Sequence, residues 1–164
     1  MGLFGPSRKD LLRWQNLVVT PMSNHLHFSR QQLHNMSIPI AQRHLEIAED
    51  CYQLIHTTAN PKVFFERLDL LDKELHYIQA LSEFLDFSGS DPRKLLFEIH
   101  SDSMMLAFVD RCWKKTAEKA AQLKTDKGQK NQYIKFKEAL CYYSIRFSPT
   151  VKQHIDDLCR TVEL

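Results

Sequence analysis

Three groups of residues in this 164-residue chain have types and spacings that could carry chemistry, and each points to a different kind. His25, His27 and His34 fall within ten residues in the stretch 20–37, TPMSNHLHFSRQQLHNMS. Imidazole is a common ligand for zinc, nickel and copper. No Asp, Glu or Cys stands between Asp10 and Glu46 to complete a local site, however, so a metal here needs ligands from elsewhere in the chain, and surface or loop-packing histidines are the plainer reading. Asp72 and His76 lie one helical turn apart, with Glu74 between them on another face; a single pair of this kind usually sits on a solvated surface. Di-iron and di-manganese bundles use Glu-x-x-His twice, because a carboxylate and an imidazole one turn apart aim at one metal, and that motif is absent. Asp102 falls at an apolar seam position, where a carboxylate must find a partner or reach water. Glycine-rich phosphate loops, Gly-x-Ser-x-Gly and His-Glu-x-x-His are missing, and no cofactor is indicated.

The third group is basic. Net charge is only +2, but residues 46–91 hold ten acids against three bases, whereas residues 111–137 hold nine bases against two acids. Lys114, Lys115, Lys119, Lys124, Lys127, Lys130, Lys135 and Lys137, with Tyr133 among them, could neutralise phosphates in a salt-sensitive manner. Against a dedicated nucleic-acid reader, this run has one arginine, Arg111, and no recognisable base-reading helix. The simpler expectation is two elements of opposite charge lying side by side.

Positioning these groups requires helices. From Asn60 to Phe87 the residues Phe64, Leu68, Leu71, Leu75, Ile78, Leu81 and Leu85 recur at steps of three and four, which places one apolar seam on an α-helix. Asn60 is placed to cap it and Pro61 to occupy its first turn; Asp91-Pro92 and Ser148-Pro149 repeat the signal. The stretch 38–59 carries a wide apolar face through Ile38, Ala41, Leu45, Ala48, Tyr52 and Ile55, as a helix touching several neighbours does. A third seam runs from Leu95 to Leu123, interrupted at Ser101, Asp102 and Ser103, and a fourth from Tyr133 to Phe147 after a turn at Gly128. With no strand-and-turn alternation, the spacing predicts an all-α, antiparallel up-and-down bundle of four core helices (38–59, 61–87, 92–124 and 129–147). Short helices flank it, one opened by Ser7 and Asp10 and bearing Leu11, Trp14 and Val18, the other following Pro149. The whole of 1–164 reads as a single domain, with 1–37 an irregular N-terminal segment.

Apolar residues make up 43% and charged residues 26% of the chain, ordinary for a globular protein with a real core. Cys51, Cys112, Cys141 and Cys159 are widely spaced and lie among apolar helical positions, so buried reduced thiols in a cytoplasmic protein are expected. The longest uncharged apolar run, Met104–Val109, falls far short of a membrane span.

The segments Thr57-x-x-Asn60-Pro61-x-x-Phe64-Phe65-x-Arg67-x-Asp69-x-Leu71, Phe108-x-Asp110-Arg111 and Leu123-Lys124-Thr125-x-Lys127-Gly128-x-x-Asn131-x-x-x-x-Phe136 resemble a group of small uncharacterised helical proteins from Gram-positive and gut bacterial genomes, over roughly residues 40–147. The resemblance implies a bacterial helical domain and supplies no activity. Within it Arg67, Asp69, Asp110, Arg111 and Asn131 are polar residues among apolar ones, expected to form a buried or half-buried network joining the central helix to the 92–124 helix and the Gly128 turn. The leading expectation is a non-enzymatic interaction or scaffold module with a protein partner, another chain or a second copy. Low-specificity nucleic-acid binding through 111–137 is the alternative, and a metal- or small-ligand-binding bundle enzyme the third.

Overall fold

The computed structural model describes residues 30–82, 85 and 91–162, and every element among them is helical. In order these are α1 (Arg30–Thr57), α2 (Pro61–Leu81), α3 (Pro92–Ile99), α4 (Asp102–Ala121), α5 (Asp126–Cys141) and α6 (Pro149–Arg160), with a 3-10 turn at Ser144–Arg146. None of the described helices is long and apolar enough to cross a membrane. Gly89 and the short helix expected near Ser7 lie outside the described residues, and the central helix, expected to run to residue 87, ends at Leu81 with Ser82 as its C-cap, leaving Leu85 outside it.

The three capping residues followed by proline all open helices. Asn60 Oδ1 accepts from the Lys62 and Val63 amides at 3.1 and 3.5 Å, Asp91 Oδ1 from Arg93 at 2.9 Å, and Ser148 Oγ from Val151 at 3.3 Å. In each, proline stands where an N–H would have no helical acceptor.

Several boundaries differ from the sequence reading. α1 begins at Arg30 rather than Ile38 and carries Pro39 inside it. A proline there removes one ladder donor, a cost that packing in a long helix can absorb. The expected 92–124 helix is two helices. His100 leaves helical geometry, Ser101 turns extended, and its Oγ both donates to Glu98 O (2.6 Å) and accepts from the Met104 amide (3.3 Å), so one hydroxyl ends α3 and starts α4. Asp102 consequently sits exposed in the first turn of α4, where a negative charge suits the helix dipole. α5 starts at Asp126, capped by Thr125, and Gly128 lies inside its first turn. A Cβ on Gly128 would come within 2.9 Å of the Thr125 hydroxyl that receives its amide. α5 ends at Cys141 and the chain passes into the 3-10 turn, so Phe147 is not on the same helix as Tyr133.

Contacts between α1 and α2 run in reverse order, Ala41 against Leu81, His44 against Tyr77 and Cys51 against Arg67, so the two form an antiparallel hairpin. α4 and α5 form a second, with Trp113 against Tyr133 and Phe136, and Leu123 against Gly128. One buried cluster takes side chains from all six helices. At its centre Phe64 stacks on Phe108 (centroids 3.8 Å apart, 11° between planes), and Phe65 meets both edge-on at 5.1 and 5.8 Å. Edge-on and offset arrangements of this kind add to the area buried.

Truncating the stacked ring, Phe108→Ala, is expected to lower unfolding free energy by about 3–5 kcal/mol in urea titrations, while Phe97→Ala, at an exposed position, changes it by less than about 0.5 kcal/mol. Comparable losses in the two variants would place the core elsewhere.

Candidate functional site

At the turn between α1 and α2, side chains of α4 meet the backbone. The carbonyls at the end of α1 and in the turn that follows it lack helical partners, and α4 supplies donors to them: Arg111 donates from Nη2 to Ile55 O of α1 at 2.6 Å and from Nε to Thr58 O of the turn at 3.2 Å, and Cys112 Sγ donates to Ala59 O at 3.4 Å. Burial lowers the Arg111 pKa from its usual value, and a guanidinium is still charged at any physiological pH. Burial likewise pushes the Cys112 thiol up to about 12, which leaves it a neutral donor and a poor nucleophile.

Beside this junction lies a cleft of about 330 Å³ lined by Ala59, Asn60 and Pro61 from the turn, Cys112, Lys115, Thr116 and Lys119 from α4, and Gln132, Lys135, Phe136 and Ala139 from α5. No carboxylate lines it. Among the described residues none of Lys114, Lys115, Lys119, Lys124, Lys127, Lys130, Lys135 and Lys137 is within ion-pairing distance of an acid. The expected side-by-side pairing of acidic and basic elements is therefore not made by direct contacts of these lysines. Nor do the lysines share one face. At 100° per residue Lys135 is turned roughly 140° from Lys130 and 160° from Lys137 around α5. Lys135 lines the cleft, whereas Lys137, half-buried, lies close enough to Cys159 of α6 to bias its thiol.

Four of the five polar residues expected to form one network instead make separate contacts. Asp69 of α2 accepts two hydrogen bonds from Arg146 of the 3-10 turn, at 2.6 and 3.0 Å. Asp110 pairs with His154 of α6 at 2.6 Å, Arg111 serves the α1 carbonyls, Arg67 faces Cys51, and Asn131 is exposed on α5. The first four each join two elements, Asn131 does not, and the five do not meet. Arg146 also lies over the Phe65 ring, 4.9 Å from its centroid, and Tyr143 stacks on the same ring at 4.3 Å.

Of the histidines, His25 and His27 lie outside the described residues and His34 is half-buried in α1. Asp72 receives His100 Nε2 at 2.8 Å, fastening α3 to α2, while His76 Nδ1 donates to the Asp72 carbonyl at 2.7 Å. Among the described residues no group of three or more His, Cys, Asp or Glu is arranged to hold a metal ion. Cys51, Cys112 and Cys159 are buried as expected, but Cys141, at the end of α5, is exposed.

One polar cluster escaped the sequence reading. His44 of α1 and Glu74 of α2, only 2% and 4% exposed, are hydrogen-bonded to each other through Nδ1 and Oε2. The Tyr77 ring lies 4.9 Å from the imidazole, and both His44 Nε2 and the Tyr77 hydroxyl are buried with no partner. The signal was present. Glu74 stands three residues after Leu71 and four before Ile78, and His44 three after Ala41 and four before Ala48, so both lie on the apolar stripes of their helices.

No family model, curated protein or solved structure matches this chain, so the resemblance carried by the Asn60–Leu71 and Leu123–Phe136 segments brings no fold or activity with it.

Glu74→Leu is expected to cost about 1–3 kcal/mol because it strands a buried imidazole, and adding His44→Leu should recover part of that loss, since replacing both members of a buried pair by apolar groups is often near neutral. Urea unfolding of both single variants and the double variant measures the coupling; strictly additive losses would remove the pair from among the contacts that align α1 with α2.

Proposed function

We propose that this chain acts by binding, as a non-enzymatic helical interaction module. Its α1, α2, α3–α4 and α5 segments would serve as the four members of an antiparallel up-and-down bundle, and its contact surface for a protein partner includes the corner between α5 and α6. The observation that carries this reading is the contrast between how firmly that corner is held and what it presents. Arg146 is fixed by Asp69 and by the Phe65 ring, Tyr143 stacks on Phe65, and Phe147 is buried, yet their neighbours Tyr142 and Ile145 are 82% and 92% exposed. Two large apolar side chains held out on a braced turn are preorganised for docking, and tyrosine is a frequent anchor in protein interfaces. The buried free thiols Cys51, Cys112 and Cys159 suit a reducing, cytoplasmic setting.

A second reading, low-specificity nucleic-acid binding, is favoured by the absence of acidic partners for the eight lysines among the described residues. Their division between the cleft side and the α6 side of α5 suits it less well, because a phosphate backbone is best followed by one continuous basic strip.

The double variant Tyr142→Ser, Ile145→Ser should melt within a few degrees of the parent, both positions being exposed, and should lose a protein that the parent retains stoichiometrically at near-physiological salt. Undiminished retention of every such partner by the variant would exclude this corner. For the second reading, fluorescence anisotropy with a labelled oligonucleotide should show binding that weakens steeply between low and moderate salt; no binding at low salt would end it.

A further inference from the structure

We infer that the cleft between the α1–α2 turn, α4 and α5 is a binding site for a phosphate monoester carried on a small organic molecule. Lys115 and Lys119 stand one turn apart on α4, and Lys135 lines the same cleft from α5. Like charges at this helical spacing repel, no carboxylate lines the cleft, and no described acid makes an ion pair with either lysine. A bound anion would. The uncharged polar groups are arranged for the same task. Asn60 Oδ1 is committed to the Lys62 and Val63 amides, so its Nδ2 is the part of the side chain left to donate outward. The Gln132 amide has no protein partner among the described residues. Thr116, by contrast, spends its hydroxyl proton on Cys112 O at 2.8 Å and offers a ligand only acceptance.

The affinity for an anion does not come from the start of α2. Its first residue is proline and its next two amides are taken by Asn60, so the lysine ammonium groups, from two separate helices, supply the charge. The rest of the lining is apolar: Ala59, Pro61, Phe136 and Ala139, together with the neutral Cys112 thiol. A cleft of about 330 Å³ stands near the lower end of the range typical of small-molecule sites, roughly 300–1,000 Å³. That combination fits one small molecule with an anionic end and an apolar body better than a polymer backbone, and this inference does not depend on the Tyr142–Ile145 corner.

Calorimetric titration of the full chain with adenosine monophosphate, inorganic phosphate and adenosine tests it, with circular dichroism melts of every variant to establish folding. Adenosine monophosphate should bind more tightly than inorganic phosphate, and adenosine should not bind measurably. Lys119→Gln and Lys135→Gln should each weaken adenosine monophosphate by about tenfold or more, the loss expected for one charge-assisted contact. Lys114→Gln and Lys127→Gln, whose side chains do not line the cleft, should leave it within about twofold, as screened surface charges do. The proposal is overturned if adenosine monophosphate does not bind, if inorganic phosphate binds as tightly, or if all four variants weaken binding equally. Binding of a short oligonucleotide without binding of the mononucleotide would overturn it too, while leaving a nucleic-acid role for the basic helices intact.

Discussion

Where α1 ends, a carbonyl of its last turn and those of the turn after it face α4 with no helical partners, and the chain answers with a guanidinium from another helix. Arg111 reaches the carbonyls of Ile55 and Thr58, and Cys112 reaches that of Ala59. A buried carbonyl left unpaired there would be costly, and a charged donor removes that cost while complementing the negative end of the helix dipole. The consequence is geometric. With α4 fixed against the α1–α2 turn, Phe108, one turn earlier on α4, is brought face to face with Phe64 in the first turn of α2, and Phe65 packs its edge against both. The aromatic centre of the core and the hydrogen-bonded junction thus reinforce one another across two hairpins.

The junction also decides which residues surround the cleft. Asn60 and Pro61 are held at its rim because they begin α2, and Lys115 and Lys119 face it because they follow Arg111 by one and two turns of α4. The side of α5 that carries Phe136 into the core presents Gln132 and Lys135 beside it. Binding chemistry and structural chemistry therefore share a scaffold while using different atoms. The same residue, Asn60, serves both, with its oxygen capping the helix and its amide nitrogen free.

Away from this junction, the fold relies on carboxylates that each bridge two elements: Asp69 to the 3-10 turn, Asp72 to α3 and Asp110 to α6. These sites are at least partly exposed, and exposed pairs contribute little stability, so their effect is mainly to set orientation. His44–Glu74 is different in kind. Buried between α1 and α2 with one imidazole nitrogen and the Tyr77 hydroxyl unpaired, it ties the two helices together, and removing one partner would strand the other in the core.

By itself the sequence determined the helical class, because three- and four-residue recurrence of apolar side chains has one backbone solution, and it determined the helix starts at Asn60, Asp91 and Ser148, because capping is local chemistry read over four residues. It also marked the break at Ser101, which read as an interruption of a seam. It could not determine whether Ser101 ended one helix and began the next, since a hydroxyl can bond the backbone of a continuous helix as well as cap a new one. Which charges pair was decided only by tertiary structure. Arg67, Asp69, Asp110, Arg111 and Asn131 look like one group along the chain, but Arg67 and Arg111 reach α1, Asp69 the 3-10 turn and Asp110 α6, while Asn131 is exposed, and helix rotation turns Lys135 and Lys137 to different neighbours though only two residues separate them. The cleft needed three elements to meet at one point. Local spacing sets the direction in which a side chain leaves its own helix, and only packing sets what it meets there.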